Sequence, residues 1–239
     1  MTVERKPQPA ATVVLLRHAE PKGLEVFLTR RPEAMPVLGG MYCFPGGKVR
    51  QEDCSPAMLQ RCRGLSASAA RRIMGADFSP AEACGFWTAA TRELFEEAGV
   101  LLAVNESNEP VQTGRLAEKH TALVRKFTSF QSLLESEALY CDANSLVYFS
   151  HWQTPARFAP RFDTRFFLAA LPQAQSPLCS SSEVAHSLWL TPDRALQLFQ
   201  HQQLPMIFPT FASLRTLADF DTLESVFKEF RAQAGPSAE

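Results

Sequence analysis

The chain has 239 residues, 46% of them apolar and 21% charged, and a formal net charge of -1. A chain of that size buries one large core, so one elaborated domain is expected rather than two. The near-zero charge offers no basic footprint for nucleic acid, and the apolar run at residues 11–16 is too short to span a membrane.

Residues 1–9 read as a flexible tail. Segments 12–17 and 25–29 read as strands about a turn at Pro21, Lys22 and Gly23. Tyr42 and Phe44 lead into a bend at Gly46 and Gly47. An insertion at about 54–80 is expected to be helical over 58–62 and 67–74. A long helix is expected over 80–98, ended by Gly99 in the left-handed conformation, with a strand over 100–104 after it. A second insertion, at about 105–144, keeps Leu116, His120, Leu123, Val124, Phe127 and Leu134 at helical spacing. Strands are expected over 145–152, 164–171 and 187–190. Thr191 before Pro192 reads as an N-cap opening a helix that runs through Phe199. One last helix carries Leu214, Leu217, Leu223, Val226 and Phe230 on its apolar side, and 233–239 form a second flexible tail. Strands on either side of a central helix, with a terminal helix, predict an α/β fold. It is a mixed sheet between helical layers, an α/β/α sandwich, as a single domain over 10–232. The insertions are expected to form a small helical cap. As loop elaborations, a lid or a homodimer surface they remain open readings.

The segment Arg92-Glu93-Leu94-Phe95-Glu96-Glu97-Ala98-Gly99-Val100 concentrates the chemistry. Glu93, Glu96 and Glu97 stand at i, i+3 and i+4, so a helix gathers them on one face. Their mutual repulsion turns into coordination if a hard divalent cation such as Mg2+ takes their oxygens. Arg92 sits one turn before Glu96 and can steady its carboxylate, while Trp87, Ala90 and Leu94 make an adjoining apolar stripe. The ordinary alternative is a solvated acidic face. The five histidines (His18, His120, His151, His186, His201) share no ligand spacing, so zinc is not expected.

This segment resembles the second half of the Nudix box, G-x5-E-x7-R-E-U-x-E-E-x-G-U, where U is bulky and apolar. Phe44-Pro45-Gly46-Gly47-Lys48-Val49 resembles its entry. The two halves are split by an insertion of about thirty residues. Skipping five residues after Gly47, the pattern meets Asp53 rather than glutamate, and the position eight before Arg92 is Cys84. Asp53, Glu52 and Glu82 all remain open as substitutes for the first box glutamate. A split box, with Phe27-Leu28-Thr29-Arg30-Arg31-Pro32 and Arg161-Phe162-Asp163-Thr164-Arg165-Phe166-Phe167, is similar to the peroxisomal-type coenzyme A diphosphatase branch and its bacterial relatives.

The resemblance implies a Nudix-type sandwich and hydrolysis of a diphosphate linkage with Mg2+ or Mn2+. Glu93, Glu96 and Glu97 would hold the metal with the carbonyl of Gly46, and Gly47 would adjoin the substrate. The catalytic set is Arg92, Glu93 and Glu183. Glu93 and Glu183 compete as general base, since Glu183 lies six residues before Trp189, where relatives place an assisting glutamate. Arg30 and Arg165 are expected to contact substrate phosphates, whereas Arg31 reads better as a surface or salt-bridged arginine. The leading substrate is coenzyme A or an acyl-coenzyme A, giving 3',5'-ADP and 4'-phosphopantetheine or its acyl form. ADP-ribose or a dinucleotide such as NADH is the runner-up. A Nudix-fold sensor of a nucleotide metabolite, without catalysis, is the reading from another class.

Six cysteines without a CxxC pair (Cys43, Cys54, Cys62, Cys84, Cys141, Cys179) suggest thiols in a reducing compartment. No signal-peptide pattern follows residue 16, and Ser237-Ala238-Glu239 is not an SKL-type address, so the cytoplasm is expected. The partner is a small nucleoside diphosphate derivative rather than nucleic acid or membrane.

Overall fold

The computed structural model describes residues 6–20, 23–75, 77–111, 116–178 and 184–233. Strand β1 (Gln8–His18) is the middle of the architecture. Val13 and Leu15 fill one of its faces and Val14 and Leu16 the other, all fully buried. A strand apolar on both sides needs a layer on each. Around it lie β2 (Leu24–Arg30), β3 (Tyr42–Cys43) and β4 (Gly46–Lys48). Next come α1 (Pro56–Gln60), β5 (Cys62–Arg63), α2 (Ala67–Met74), α3 (Pro80–Ala98) and β6 (Ala103–Val104). They are followed by α4 (Ala117–Val124), α5 (Phe130–Ser136), β7 (Tyr140–Asp142), β8 (Val147–Gln153), β9 (Phe162–Ala170) and β10 (His186–Leu190). Helices α6 (Pro192–Gln200), α7 (Phe208–Leu217) and α8 (Leu223–Gln233) close the chain.

The main sheet runs β10-β2-β1-β9-β8, with β3 on β2 and β4 on β1. Strand β1 is parallel to β9 and every other pair is antiparallel, which makes the sheet mixed. Helix α3 covers one face through Phe86, Trp87, Ala90 and Leu94 against Val13, Leu15 and Phe167. The opposite face packs Val14, Leu16 and Leu168 on Ala195, Leu214, Leu217 and Val226 of α6, α7 and α8. The result is the expected α/β/α sandwich. None of the described helices is long and apolar enough to cross a membrane.

Helix α3 has clear ends. Ser79 and Glu82 make a reciprocal capping box, Pro80 occupies the first turn, and Gly99 ends the helix at φ 68°. It is buried on nearly every side because the insertions cover what the sheet does not. Phe95 and Leu101 join Met58, Leu116, Leu123, Phe130, Leu133 and Leu134 in a third apolar cluster. A small sheet of order β5-β7-β6 ties the two insertions together there.

Several boundaries differ from expectation. Strand β1 starts at Gln8, inside the expected tail, because Gln8 N–H bonds to Arg161 O and Val49 N–H to Pro9 O. In the 100–104 stretch only Ala103 and Val104 are strand, and they pair with β7 instead of the main sheet. Cys62 belongs to β5 rather than to a helix. Among its described residues the second insertion holds two α-helices, α4 and α5, separated where Lys126 takes a φ of 60°. The last expected helix is likewise two, α7 and α8, with Thr222 accepting from Ser225 N at the restart. In both places the apolar spacing continues across the break, so periodicity alone does not reveal it.

Candidate active site

The pairing of β4 with β1 lays Gly46 and Gly47 beside Thr12 and Ala11, and α3 passes over them with its last two turns. Gly46 N–H donates to Glu97 Oε2 at 3.0 Å. At Gly47 a Cβ would stand 2.6 Å from the Glu93 carboxylate, so only glycine lets that side chain lie on the strand. Both halves of the split motif thus meet through backbone.

Arg92 organises the cluster. Its Nε and Nη2 each donate to Asp53 at 2.8 Å, Nη2 also to Lys48 O at 2.9 Å, and Nη1 to Glu93 at 2.5 Å and Glu96 at 3.3 Å. Arg92 and Asp53 are each only 3% exposed. Burial works against the Arg92 charge, but the bonds to Asp53 and the charges of Glu93, Asp53 and Glu96 raise its pKa further, so it is permanently cationic. Asp53 also accepts from Arg50 N at 2.8 Å, and its carbonyl accepts from Thr88 Oγ1 at 2.7 Å. The loop after Gly47 is therefore stitched onto α3 through Asp53. Glu82 caps its own helix and Glu52 is exposed, so of the three acids left open by the sequence only Asp53 joins the cluster.

The glutamates are each held by positive groups. Glu93 is buried on Gly47, and burial pushes its carboxyl above the usual range while Arg92 pulls it back. Glu96 faces Arg50, whose Nη1 and Nη2 bond it at 3.2 and 3.1 Å, and Arg50 is also 3.6 Å from Glu93. Glu97 lies 3.8 Å from Arg31 Nη1. Among the described residues no three His, Cys, Asp or Glu side chains converge at metal-ligating spacing. The donor set nonetheless fits a hard divalent cation, since three carboxylates share one helix face. The group between two of them, Arg50, is 46% exposed. Cys43 adjoins Arg31 and Glu97, but burial first and the Glu97 charge second push its thiol up to about 11, which rules out a thiolate nucleophile at neutral pH.

Two arginines fall differently from expectation. Arg31 continues the side of β2 that carries Phe27 and Thr29, the α3 side, and so reaches Glu97, while Arg30 points to the other side. There it bonds Glu33 at 2.5 Å and Gly40 O at 3.2 Å, away from the carboxylates. Arg165 does face α3, but it is buried against Phe78 and Phe86 and paired with Asp163 on its own strand. Neither Arg30 nor Arg165 joins the cluster. Arg31 and Arg50 do, and Arg50, two residues after β4, has no periodic signal to mark it. Glu183 lies outside the described residues. Two grooves, of about 460 and 540 Å³, are lined by Arg63, Asn108 and Asn144 and by His18, Gln173 and Gln175, and contain no member of the cluster.

A family model matches most of the chain, including both halves of the split motif. The model described as the NUDT19 Nudix domain covers residues 6–217. The chain belongs to this family. Acyl-coenzyme A diphosphatase NUDT19 of Gallus gallus is 27% identical over 87% of this chain and 65% of its own length. The Homo sapiens protein of the same name is 30% identical over 62% of this chain and 42% of its own. The chain thus spans less than two thirds of these curated relatives. The crystal structure of a NUDIX hydrolase from Alicyclobacillus acidocaldarius matches with a TM-score of 0.80 and 28% identity, covering 93% of this chain and 96% of the other. In this NUDT19-type Nudix domain the motif halves are separated by α1, β5 and α2, and the loop acid at Asp53 stays on the glycine side of that insertion.

Proposed function

We propose that this chain is a Mg2+- or Mn2+-dependent hydrolase of the diphosphate linkage in coenzyme A or an acyl-coenzyme A, releasing 3',5'-ADP and 4'-phosphopantetheine or its acyl form. The observation that carries this reading is the set Glu93, Glu96 and Glu97 on one turn, with Glu93 and Glu97 anchored on Gly47 and Gly46. The substrate class is supported by the names of the Gallus gallus and Homo sapiens relatives.

Glu93, Glu96, Glu97 and the carbonyl of Gly46 would hold the metal, which when bound screens the diphosphate charge and acidifies water. Glu93, which Arg92 bonds, would accept a proton from the attacking water, with Glu183 the other candidate. Arg31 and Arg50 present guanidinium groups to the substrate phosphates, a role for which bidentate donors suit. The free thiols among the described cysteines fit a reducing compartment such as the cytoplasm.

Glu97→Gln tests the reading. It keeps the shape and removes one charge, so kcat should fall by about 100-fold or more while ligand affinity changes little. Turnover at the wild-type rate would remove Glu97 from the site. A wild-type chain that binds nucleotide without turning it over would instead be a sensor.

A further inference from the structure

We infer that the second insertion acts on the carboxylate turn through His120, a positioning residue for the side chains that hold the metal. The inference rests on the metal-dependent reading above. The last carbonyls of a helix have no partner within it. At the end of α3, Gly99 N–H satisfies Phe95 O at 2.9 Å, and the carbonyls that follow need donors from elsewhere. Leu178 N–H supplies Ala98 O at 2.8 Å. For Glu96 O the donor is His120 on α4, with Nε2 at 3.2 Å. A carbonyl only accepts, so the ring carries its proton on Nε2.

His120 is 8% exposed and meets the Phe95 ring edge-on, with centroids 5.1 Å apart. It is a polar side chain beside the apolar cluster of Phe95, Leu116 and Leu123, where burial has a cost that the bond to Glu96 O offsets. That bond ends on the backbone of Glu96, between the stacked Phe95 and Glu97, whose carboxylate reaches Gly46. The turn bearing two of the three carboxylates is thereby pinned from outside the motif. Without the donor the turn loosens and the carboxylates lose their common orientation. Outer partners of this kind typically change metal affinity by 10-fold or more.

Mn2+ binding to the full chain, read by calorimetry or electron paramagnetic resonance, tests this independently of turnover. His120→Phe keeps the stack and removes the donor, and should weaken Mn2+ binding by about tenfold. His120→Gln returns an N–H at similar reach and should recover wild-type binding, which a purely packing role would not produce. Unchanged Mn2+ affinity in a folded His120→Phe chain overturns the inference and leaves the metal site standing. If the phenylalanine variant does not fold, the glutamine variant decides: wild-type binding supports the role and a large loss overturns it. A wild-type chain that binds no Mn2+ overturns the metal reading and this inference with it.

Discussion

A guanidinium among carboxylates is stable in a protein interior only if its donors are all used. Arg92 meets that condition, with five N–H groups facing two oxygens of Asp53, the Lys48 carbonyl, Glu93 and Glu96. Arg50 N–H holds the Asp53 carboxylate, and Thr88 Oγ1 holds its carbonyl on the helix. The same residue scale separates Arg31 from Arg30. Arg31→Ala should raise KM for coenzyme A by about 10- to 100-fold, the range for a hydrogen bond to a charged group, and Arg30→Ala should leave it near the wild-type value. Steady-state kinetics on both variants checks this, and the reverse pattern would refute it. The acids were legible because helical spacing alone puts Glu93, Glu96 and Glu97 on one face. The arginines were not, because strand alternation says that Arg30 and Arg31 diverge without saying which one meets α3.

At the scale of elements, α3 sets the site. Its bounds and those of α2 could be read from the sequence, since Ser79, Pro80 and Gly99 punctuate the first and Ser66 and Gly75 flank the second. The breaks between α4 and α5 and between α7 and α8 were hidden, because a positive φ at Lys126 and a threonine cap at Thr222 leave the apolar period intact. Burial and the Glu96 charge work against an ionised Glu93, and Arg92 and Arg50 offset this only in part. A divalent cation bound only by the folded chain should therefore stabilise it. At 100 times Kd the gain is about 2.7 kcal/mol, which for a chain of this length corresponds to a rise in Tm of about 5–10 °C. Thermal melts with Mn2+ and with chelator measure it. No shift, or an equal shift when all three glutamates are changed to glutamine, would argue against a metal site on α3.

The whole molecule joins what the insertion separates. Gly46 and Glu97 lie 51 positions apart and 3.0 Å from each other, because β4 pairs with β1 and α3 crosses above them. The sandwich could be read from strand and helix signals, but the route by which the insertions build a third apolar cluster behind α3 depends on pairing of β5 with β7 and β6, strands of two or three residues that leave no pattern. That cluster ties both insertions to the helix bearing the acids, while Arg31 and Arg50 meet the carboxylates of that helix from β2 and from the loop after β4. Hydrolysis should be followed with Mg2+ on coenzyme A, dephospho-coenzyme A, ADP-ribose and NADH, with the products separated by chromatography. The expected result is cleavage of coenzyme A to 3',5'-ADP and 4'-phosphopantetheine, in preference to the form lacking the 3'-phosphate. Preferential cleavage of ADP-ribose or NADH, or no turnover of any of the four, would contradict a coenzyme A diphosphatase.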